Sequence, residues 1–181
     1  MILTVTLNTS IDKAYRISST LERGTVMRVA ECIDNAGGKG LNASRSVATC
    51  GEKVLSTGFV GGNNGRLLCE LLDRDKIPHD FVKVATETRC CVNVLEPDGL
   101  STEFLEPGRE VTSEELAALE ERLVSLVSRA DVVTMSGSFP KGLPADTYVR
   151  LIKLVRSQGS RASSIPPAPR SRQASTRSPP W

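Results

Sequence analysis

The sequence predicts an α/β fold, a mainly parallel sheet flanked by helices and carrying a small β-hairpin appendage. Three observations predict it. Short apolar, β-branched segments alternate along the chain with segments of helical periodicity, each strand-like segment ends in a brief polar or Gly-bearing loop, and one stretch reads as two strands closed by Pro97-Asp98-Gly99.

The elements follow in order. Ile2 to Leu7 is apolar and β-branched and stops at the turn formers Asn8-Thr9-Ser10, which predicts a buried first strand. Gly37-Gly38-Lys39-Gly40 then precedes an Ala-bearing segment, Leu41 to Cys50, that suits a helix ending at Gly51. A strand is expected at Lys53 to Phe59 and a loop at Val60 to Gly65. Leu67, Leu68, Leu71 and Leu72 next share one helical face. Phe81 to Val84 is a short strand, and Arg89 to Glu96 with Leu100 to Leu105 forms the hairpin. Thr112-Ser113-Glu114-Glu115 has capping-box spacing, and Leu116, Leu119, Leu123, Leu126 and Val127 make one apolar stripe behind it. Asp131 to Met135 is a strand and Ser136 to Leu143 a loop. Pro144 is expected at the first position of a last helix reaching about Ser157.

Bulk properties narrow the function. At 181 residues, 39% hydrophobic and 24% charged, the chain is long enough for one globular domain. No apolar run approaches the ~18 residues of a membrane span, and no basic stretch precedes an apolar one at the start, so a soluble, cytoplasmic protein without a signal peptide is expected. The five cysteines, Cys32, Cys50, Cys69, Cys90 and Cys91, are odd in number and lack C-x-x-C spacing, which predicts reduced thiols and no metal site; Cys90-Cys91 is expected to pack as small apolar residues. The formal charge is +2, but residues 160–181 hold four arginines and no acid. Taking those four from the 23 basic groups leaves 19 against 21 acidic, a net of −2 for residues 1–159, which argues against a nucleic-acid partner.

In open parallel sheets ligands gather beyond the carboxyl ends of the strands, where helix N-termini offer free amides to anions. Asn8 to Asp12, Val60 to Gly65 and Ser136 to Lys141 qualify, and Gly37-Gly38-Lys39-Gly40 is a fourth loop feeding a helix. That glycine loop is not a P-loop, because Gly40 rather than Ser or Thr follows Lys39, and no G-x-G-x-x-G follows the first strand.

Several motifs in order resemble the PfkB, or ribokinase-like, sugar kinases. Thr6-Leu7-Asn8-Thr9-Ser10-Ile11-Asp12 is similar to their opening T-L-N-P-x-x-D, and Gly37 to Arg45 to their G-G-K-G-x-N-x-A-R. Glu87-Thr88-Arg89 with Thr102-Glu103-Phe104 and Ser136-Gly137-Ser138-Phe139-Pro140 continue the match, nearest to the 1-phosphofructokinase and tagatose-6-phosphate kinase branch. The resemblance implies ATP-dependent phosphorylation, with Mg²⁺, of fructose 1-phosphate or tagatose 6-phosphate. It implies sugar binding by Asp12, otherwise an Asx-turn residue, and by Asn42, otherwise a solvent-facing helix residue, with Gly37 and Gly38 letting the ligand reach the backbone. Arg28, Lys39 and Arg89 are candidates for the substrate phosphate, Arg89 foremost, and Arg28 is otherwise a solvated strand residue. Ser138 would add a hydroxyl or else serve the turn. Residues at about 12–34 and 88–106 would form a β-lid over the sugar and pair with a second subunit's lid in a homodimer.

The chain also departs from that pattern. No Gly-Ala-Gly-Asp, the late motif that supplies base and anion hole, occurs in residues 1–181, so no catalytic residue is assigned and the chain is expected to be inactive. Residues 1–159 therefore read as the N-terminal part of such a kinase domain, incomplete at its C-terminus. A non-catalytic sugar-phosphate-binding remnant, or a lid-pairing partner, is the alternative. Residues 160–181 hold six Ser, five Pro and four Arg and are expected to be a disordered tail. Back-translated two bases out of register, Ser163 to Pro169 reads Ile-Asp-Ser-Ser-Gly-Pro, the family's next strand end, which suggests an out-of-frame tail. On this expectation the Asp131 to Met135 strand lacks its neighbour and is poorly covered.

Overall fold

The structure is a computed structural model that describes residues 1–165. Its frame is a five-stranded, all-parallel sheet of order β5-β4-β1-β8-β9, built from β1 (Ile2–Thr6), β4 (Val54–Gly61), β5 (Val82–Val84), β8 (Val132–Ser136) and β9 (Arg161–Ile165). A second sheet, order β3-β2-β6-β7, holds β2 (Ser10–Ile17), β3 (Val29–Gly37), β6 (Arg89–Leu95) and β7 (Ser101–Leu105). The helices are α1 (Lys39–Thr49), α2 (Gly62–Arg74), α3 (Ser113–Val127) and α4 (Thr147–Ser157). The α/β class and the helix-flanked parallel sheet are as the sequence predicts.

Strand alternation explains how both faces of the large sheet are covered. Leu3, Val5 and Leu7 point one way, into a core with Val133, Met135, the α3 stripe Leu116, Leu119, Leu123, Leu126 and Val127, and Leu151 and Val155 of α4. The opposite face of β1 carries Thr4 and Thr6, under α1. There Thr4 Oγ1 lies 2.6 Å from Ser44 Oγ, Ser56 Oγ donates to Ser44 Oγ at 2.8 Å, and Ser44 Oγ donates to the Gly40 carbonyl at 3.0 Å. A second apolar cluster on that side joins Leu41, Val60, Leu68, Leu71, Leu72, Ile77 and Phe81 to Ile11 and Ala36 of the smaller sheet, which ties the two sheets together.

Local signals hold at several ends. Glu115 N donates to Thr112 Oγ1 at 3.2 Å and Thr112 N donates to Glu115 Oε2 at 2.9 Å, the reciprocal capping box. Helix α1 stops at Cys50, and Gly51 follows with φ +80°, the left-handed residue that ends a helix. Cys91 is buried, whereas Cys90 is only half-buried at the base of the smaller sheet.

Three expectations are corrected. Val60 to Gly65 is not a loop: β4 runs to Gly61 and α2 starts at Gly62, whose φ of +66° turns the chain without a connecting residue. Pro144 does not open the last helix. Its carbonyl accepts from Thr147 N at 3.0 Å and Thr147 Oγ1 at 2.6 Å, a single turn that leads into α4 at Thr147. The tail expected from residue 160 begins with order, because Arg161–Ile165 forms β9, parallel to β8 in the register Val132 with Arg161 through Ser136 with Ile165. The open edge of β8 offers amides and carbonyls to whatever segment returns from α4, and a short stretch suffices to take them up. Strand β8 is consequently covered, with Val133 and Met135 fully buried. The rest of the expected tail, residues 166–181, lies outside the described residues. Among the described residues no helix is long and apolar enough to cross a membrane.

Candidate functional site

The two sheets part at Leu7 to Ser10, where the chain leaves β1 of the large sheet and enters β2 of the small one. That junction is held tightly. Thr9 Oγ1 donates to the Phe59 carbonyl at 2.7 Å, Thr88 N donates to the Gly61 carbonyl at 2.9 Å, and Gly61 N donates to Thr88 Oγ1 at 3.0 Å. Thus β2 and β6 both start from fixed points, and Asp12, two residues into β2, and Arg89, the first residue of β6, are placed with them.

A cavity of about 410 Å³ opens beside this junction. Its wall includes Ser10, Asp12, Asn35, Gly38, Lys39, Asn42, Arg89, Cys91, Asn93 and Glu103. The strand register explains the set: Asp12 pairs with Asn35 on one side and Cys91 on the other, and Asn93 pairs with Glu103, so alternate residues of four strands face one space. Gly37 is required close to Asp12, since a Cβ there would lie 2.2 Å from the Asp12 Cγ. Asp12 itself accepts from Ser10 Oγ at 2.7 Å.

Arg89 and Lys39 bring positive charge to the wall. Arg89 Nη1 donates to the Glu106 carbonyl at 3.0 Å and Nη2 to the Asn8 carbonyl at 3.4 Å, while its Nε is buried without a protein partner. Asn8 Nδ2 in turn donates to Ser138 Oγ at 2.9 Å, which brings the Ser136 to Lys141 loop to the same place. A methyl on Gly137 would sit 3.8 Å from Lys39 Cβ, so that loop also adjoins the start of α1. Gly38, the N-cap of α1 at φ +118°, has no side chain to cap the helix, and the first-turn amides stay available to an anion. Burial pushes the Cys91 thiol up, with Arg89 pulling the other way, so the wall beside Arg89 is neutral sulfur rather than thiolate.

Asp12, Gly37, Gly38, Lys39, Asn42, Arg89 and Ser138 are therefore brought together around one space or its immediate rim. Arg28 is not. It is exposed, immediately before β3, and absent from the cavity wall, because the nine residues of β3 carry the chain from it to Gly37. At Val60 to Gly65, also expected as a ligand loop, the Glu87 carboxylate sits at the start of α2, accepting from Asn64 N at 2.5 Å, and takes the place an anion would need. Asn35 and Asn93 carry no signal of their own in the sequence, and Glu103 enters there only as part of the Thr102-Glu103-Phe104 motif. Period-two spacing from Asp12 and Arg89 along paired strands is the signal that finds them.

Chemically, the arrangement brings Arg89, Lys39 and free helix amides together with the Asp12 and Glu103 carboxylates and the side-chain amides of Asn35, Asn42 and Asn93. It suits a small anion-bearing polyol. Among the described residues no group of three or more His, Cys, Asp or Glu side chains is placed to hold a metal ion, and Gly-Ala-Gly-Asp does not occur in residues 1–181.

These features define a parallel α/β protein with a polar cleft between its main sheet and a small covering sheet. Comparison with known proteins makes the class specific: the sequence profile of the pfkB family of carbohydrate kinases matches residues 5–177. The chain belongs to the pfkB carbohydrate kinase family. Among solved structures it is similar to a possible 1-phosphofructokinase of Thermotoga maritima, with 30% identity and a TM-score of 0.85 over 92% of this chain and 53% of that one. Phosphofructokinase-2 of Escherichia coli in complex with fructose-6-phosphate is similar at 28% identity and a TM-score of 0.85, over 91% of this chain and 54% of that one. A tetrameric inhibited form of the latter enzyme matches at 28% identity with a TM-score of 0.84. The chain spans about half the length of these relatives.

Proposed function

We propose that this chain is the sugar-phosphate-recognising half of a ketohexose-phosphate kinase, of the kind that uses ATP and Mg²⁺ to phosphorylate fructose 1-phosphate or tagatose 6-phosphate in the cytoplasm. The observation that carries the reading is the convergence of Arg89, Lys39, the α1 amides and the Asp12 carboxylate on one cavity of about 410 Å³. Arg89 and Lys39 take the phosphate, Ser138 donates its hydroxyl beside them, and Asp12 accepts from a sugar hydroxyl. ATP and Mg²⁺ supply the transferred group and its charge neutralisation in a complete kinase. By itself the chain binds substrate and does not turn it over.

Titration calorimetry with fructose 1-phosphate, tagatose 6-phosphate and unphosphorylated fructose tests this, alongside a coupled assay for ADP release. Saturable binding of a ketose phosphate, weak binding of fructose and no ADP release above background are expected. Absence of binding to any sugar phosphate refutes the reading, and turnover refutes the claim of inactivity.

A second reading rests on the small sheet. Leu100, Phe104 and Leu105 on or beside β7 are 61%, 59% and 64% exposed on an edge strand, Leu105 on the face that lines the cavity and Phe104 on the opposite face. An edge strand with these exposed apolar side chains favours a homodimer formed through the covering sheets, or pairing with an intact relative. Sedimentation of the Phe104→Glu variant against the unaltered chain decides it: loss of a dimer supports the pairing, and a monomer in both refutes it.

A further inference from the structure

Arg45 lies outside the cavity wall, yet its guanidinium is committed to three elements at once. Nη1 donates to Asn42 Oδ1 at 3.0 Å, Nη2 donates to the Ala36 carbonyl, and Nε donates to Asp75 Oδ2 at 3.4 Å. Asp75, at the C-terminal end of α2, is held in turn by Arg74 Nε on its other oxygen at 3.1 Å. Both side chains of the Arg45–Asp75 pair are largely screened, with 28% and 23% exposure, so this is not a pair dissolved in water.

Two of those contacts reach the proposed site. Ala36 is fully buried and is the residue before Gly37, so fixing its carbonyl fixes the entry to the Gly37-Gly38 turn against Asp12. Asn42 lines the cavity, and a carboxamide has one accepting oxygen and one donating NH₂ group. With a cation on the oxygen, the orientation of that amide is decided: the reversed rotamer would set NH₂ against guanidinium NH.

We infer that Arg45 is a positioning residue that locks the Asn42 amide with its NH₂ free for ligand. On the functional reading above, on which this inference rests for its ligand, Asn42 donates to a substrate oxygen while Asp12 accepts from a substrate hydroxyl. The pair therefore recognises a hydroxyl-bearing carbon chain by opposite hydrogen-bond senses. A planar fork is what allows one side chain to serve Asn42, Ala36 and Asp75 together; an ammonium on the same stem is a point charge and does not span them.

The test uses the full chain and the variants Arg45→Met, Asn42→Ala and the double variant, with fructose 1-phosphate as the titrant. Arg45→Met is expected to weaken binding about tenfold in the unaltered background and by less than about twofold in the Asn42→Ala background, where only its hold on the Ala36 carbonyl is left to lose. Without ligand, the side-chain amide resonances of Asn42 in a ¹⁵N–¹H spectrum move in Arg45→Met while amides remote from α1 stay in place. Should Arg45→Met not fold, Arg45→Lys is put through the same cycle with the same expectation. Additive losses in the double variant, or an unmoved Asn42 amide in a folded Arg45 variant, overturn the inference. If the unaltered chain fails to bind fructose 1-phosphate, the functional reading falls, and the Asn42 amide shift alone still decides whether Arg45 holds that amide.

Discussion

Replacing Gly37 by alanine isolates the contribution of Asp12 without touching it. The Gly37 backbone lies outside the left-handed region, so an alanine is tolerated by the main chain itself, and the whole conflict falls on one neighbour. The added methyl would stand 2.2 Å from Asp12 Cγ, 2.2 Å from Oδ1 and 2.3 Å from Oδ2, against the ~3.5 Å of an ordinary contact. The carboxylate must retreat by more than about 1 Å. Its stem cannot follow, since Asp12 is fixed in the ladder between Asn35 and Cys91. Only side-chain rotation remains, at a cost of roughly 0.5–1.5 kcal/mol, together with the bond from Ser10 Oγ. The fold therefore survives while the charged acceptor leaves its place. A hydrogen bond to a charged group contributes about 1.5–3 kcal/mol, which translates to roughly 10- to 100-fold in the dissociation constant of a sugar phosphate. Calorimetric titration with thermal melts measures both effects on one sample. Unchanged affinity in Gly37→Ala, or full affinity in Asp12→Asn, refutes the role given to Asp12. Gly38→Ala is the contrasting variant: at φ +118°, with its Cβ 2.8 Å from Thr6 Cγ2, it strains the main chain and lowers the melting temperature as well.

Other outcomes follow from the same geometry. Arg89→Met is expected to abolish the preference for phosphorylated over free sugar, read as the ratio of the two dissociation constants. Ser44→Ala strips the shared partner from the buried Thr4 and Ser56 hydroxyls and should destabilise the fold by about 1–3 kcal/mol in urea titrations. Thr112→Ala removes one arm of the α3 capping box, an expected loss of about 0.5–2 kcal/mol by the same measurement. Alkaline pH should weaken the fold. Burial raises the Cys69, Cys90 and Cys91 thiols and the Tyr148 phenol, so above pH 9.0, and again above 10.0, the unfolded chain releases protons that the native chain keeps. The stability is fully present below those values and is lost as pH rises, and Tyr148→Phe should remove the steeper part of the loss in melts between pH 9 and 11.

The large sheet was readable because its strands are apolar and its helices announce their ends, as Thr112 with Glu115 and Gly51 do. The covering sheet was only half readable. Its hairpin showed through Pro97-Asp98-Gly99, where Gly99 at φ +87° closes the turn, whereas β2 and β3 mix Asp12, Lys13 and Arg16 with Glu31, Asp34 and Asn35. Charges at those positions obscure a strand because one face of this sheet lines a polar cavity rather than a core. The helix start at Gly62 was hidden for another reason: a cluster of Gly and Asn reads as a loop unless the distant Glu87 that caps it is known. Strand β9 was concealed by composition, since Arg161-Ala162-Ser163-Ser164-Ile165 pairs through its backbone, which side-chain statistics do not report.

The candidate site depends on where the two sheets are joined more than on any one side chain. Asp12 and Arg89 sit two residues or fewer past the starts of β2 and β6, and those starts are pinned to the large sheet through Thr9 with Phe59 and Thr88 with Gly61. Lys39 and Ser138 come from the large sheet's own helix and loop. An acceptor and a guanidinium rooted in one sheet are thus brought to the same cavity or its rim as an ammonium and a hydroxyl rooted in the other. Loosening the junction should then harm binding even with every ligand-facing group intact. Thr88→Val is the clean case, for it removes the Oγ1 that accepts from Gly61 N, leaves that buried amide unpaired, and keeps the side-chain volume. Affinity for a ketose phosphate is expected to fall with Arg89 still present; equal affinity in a folded Thr88→Val chain would show that Arg89 is held by its carbonyl partners alone.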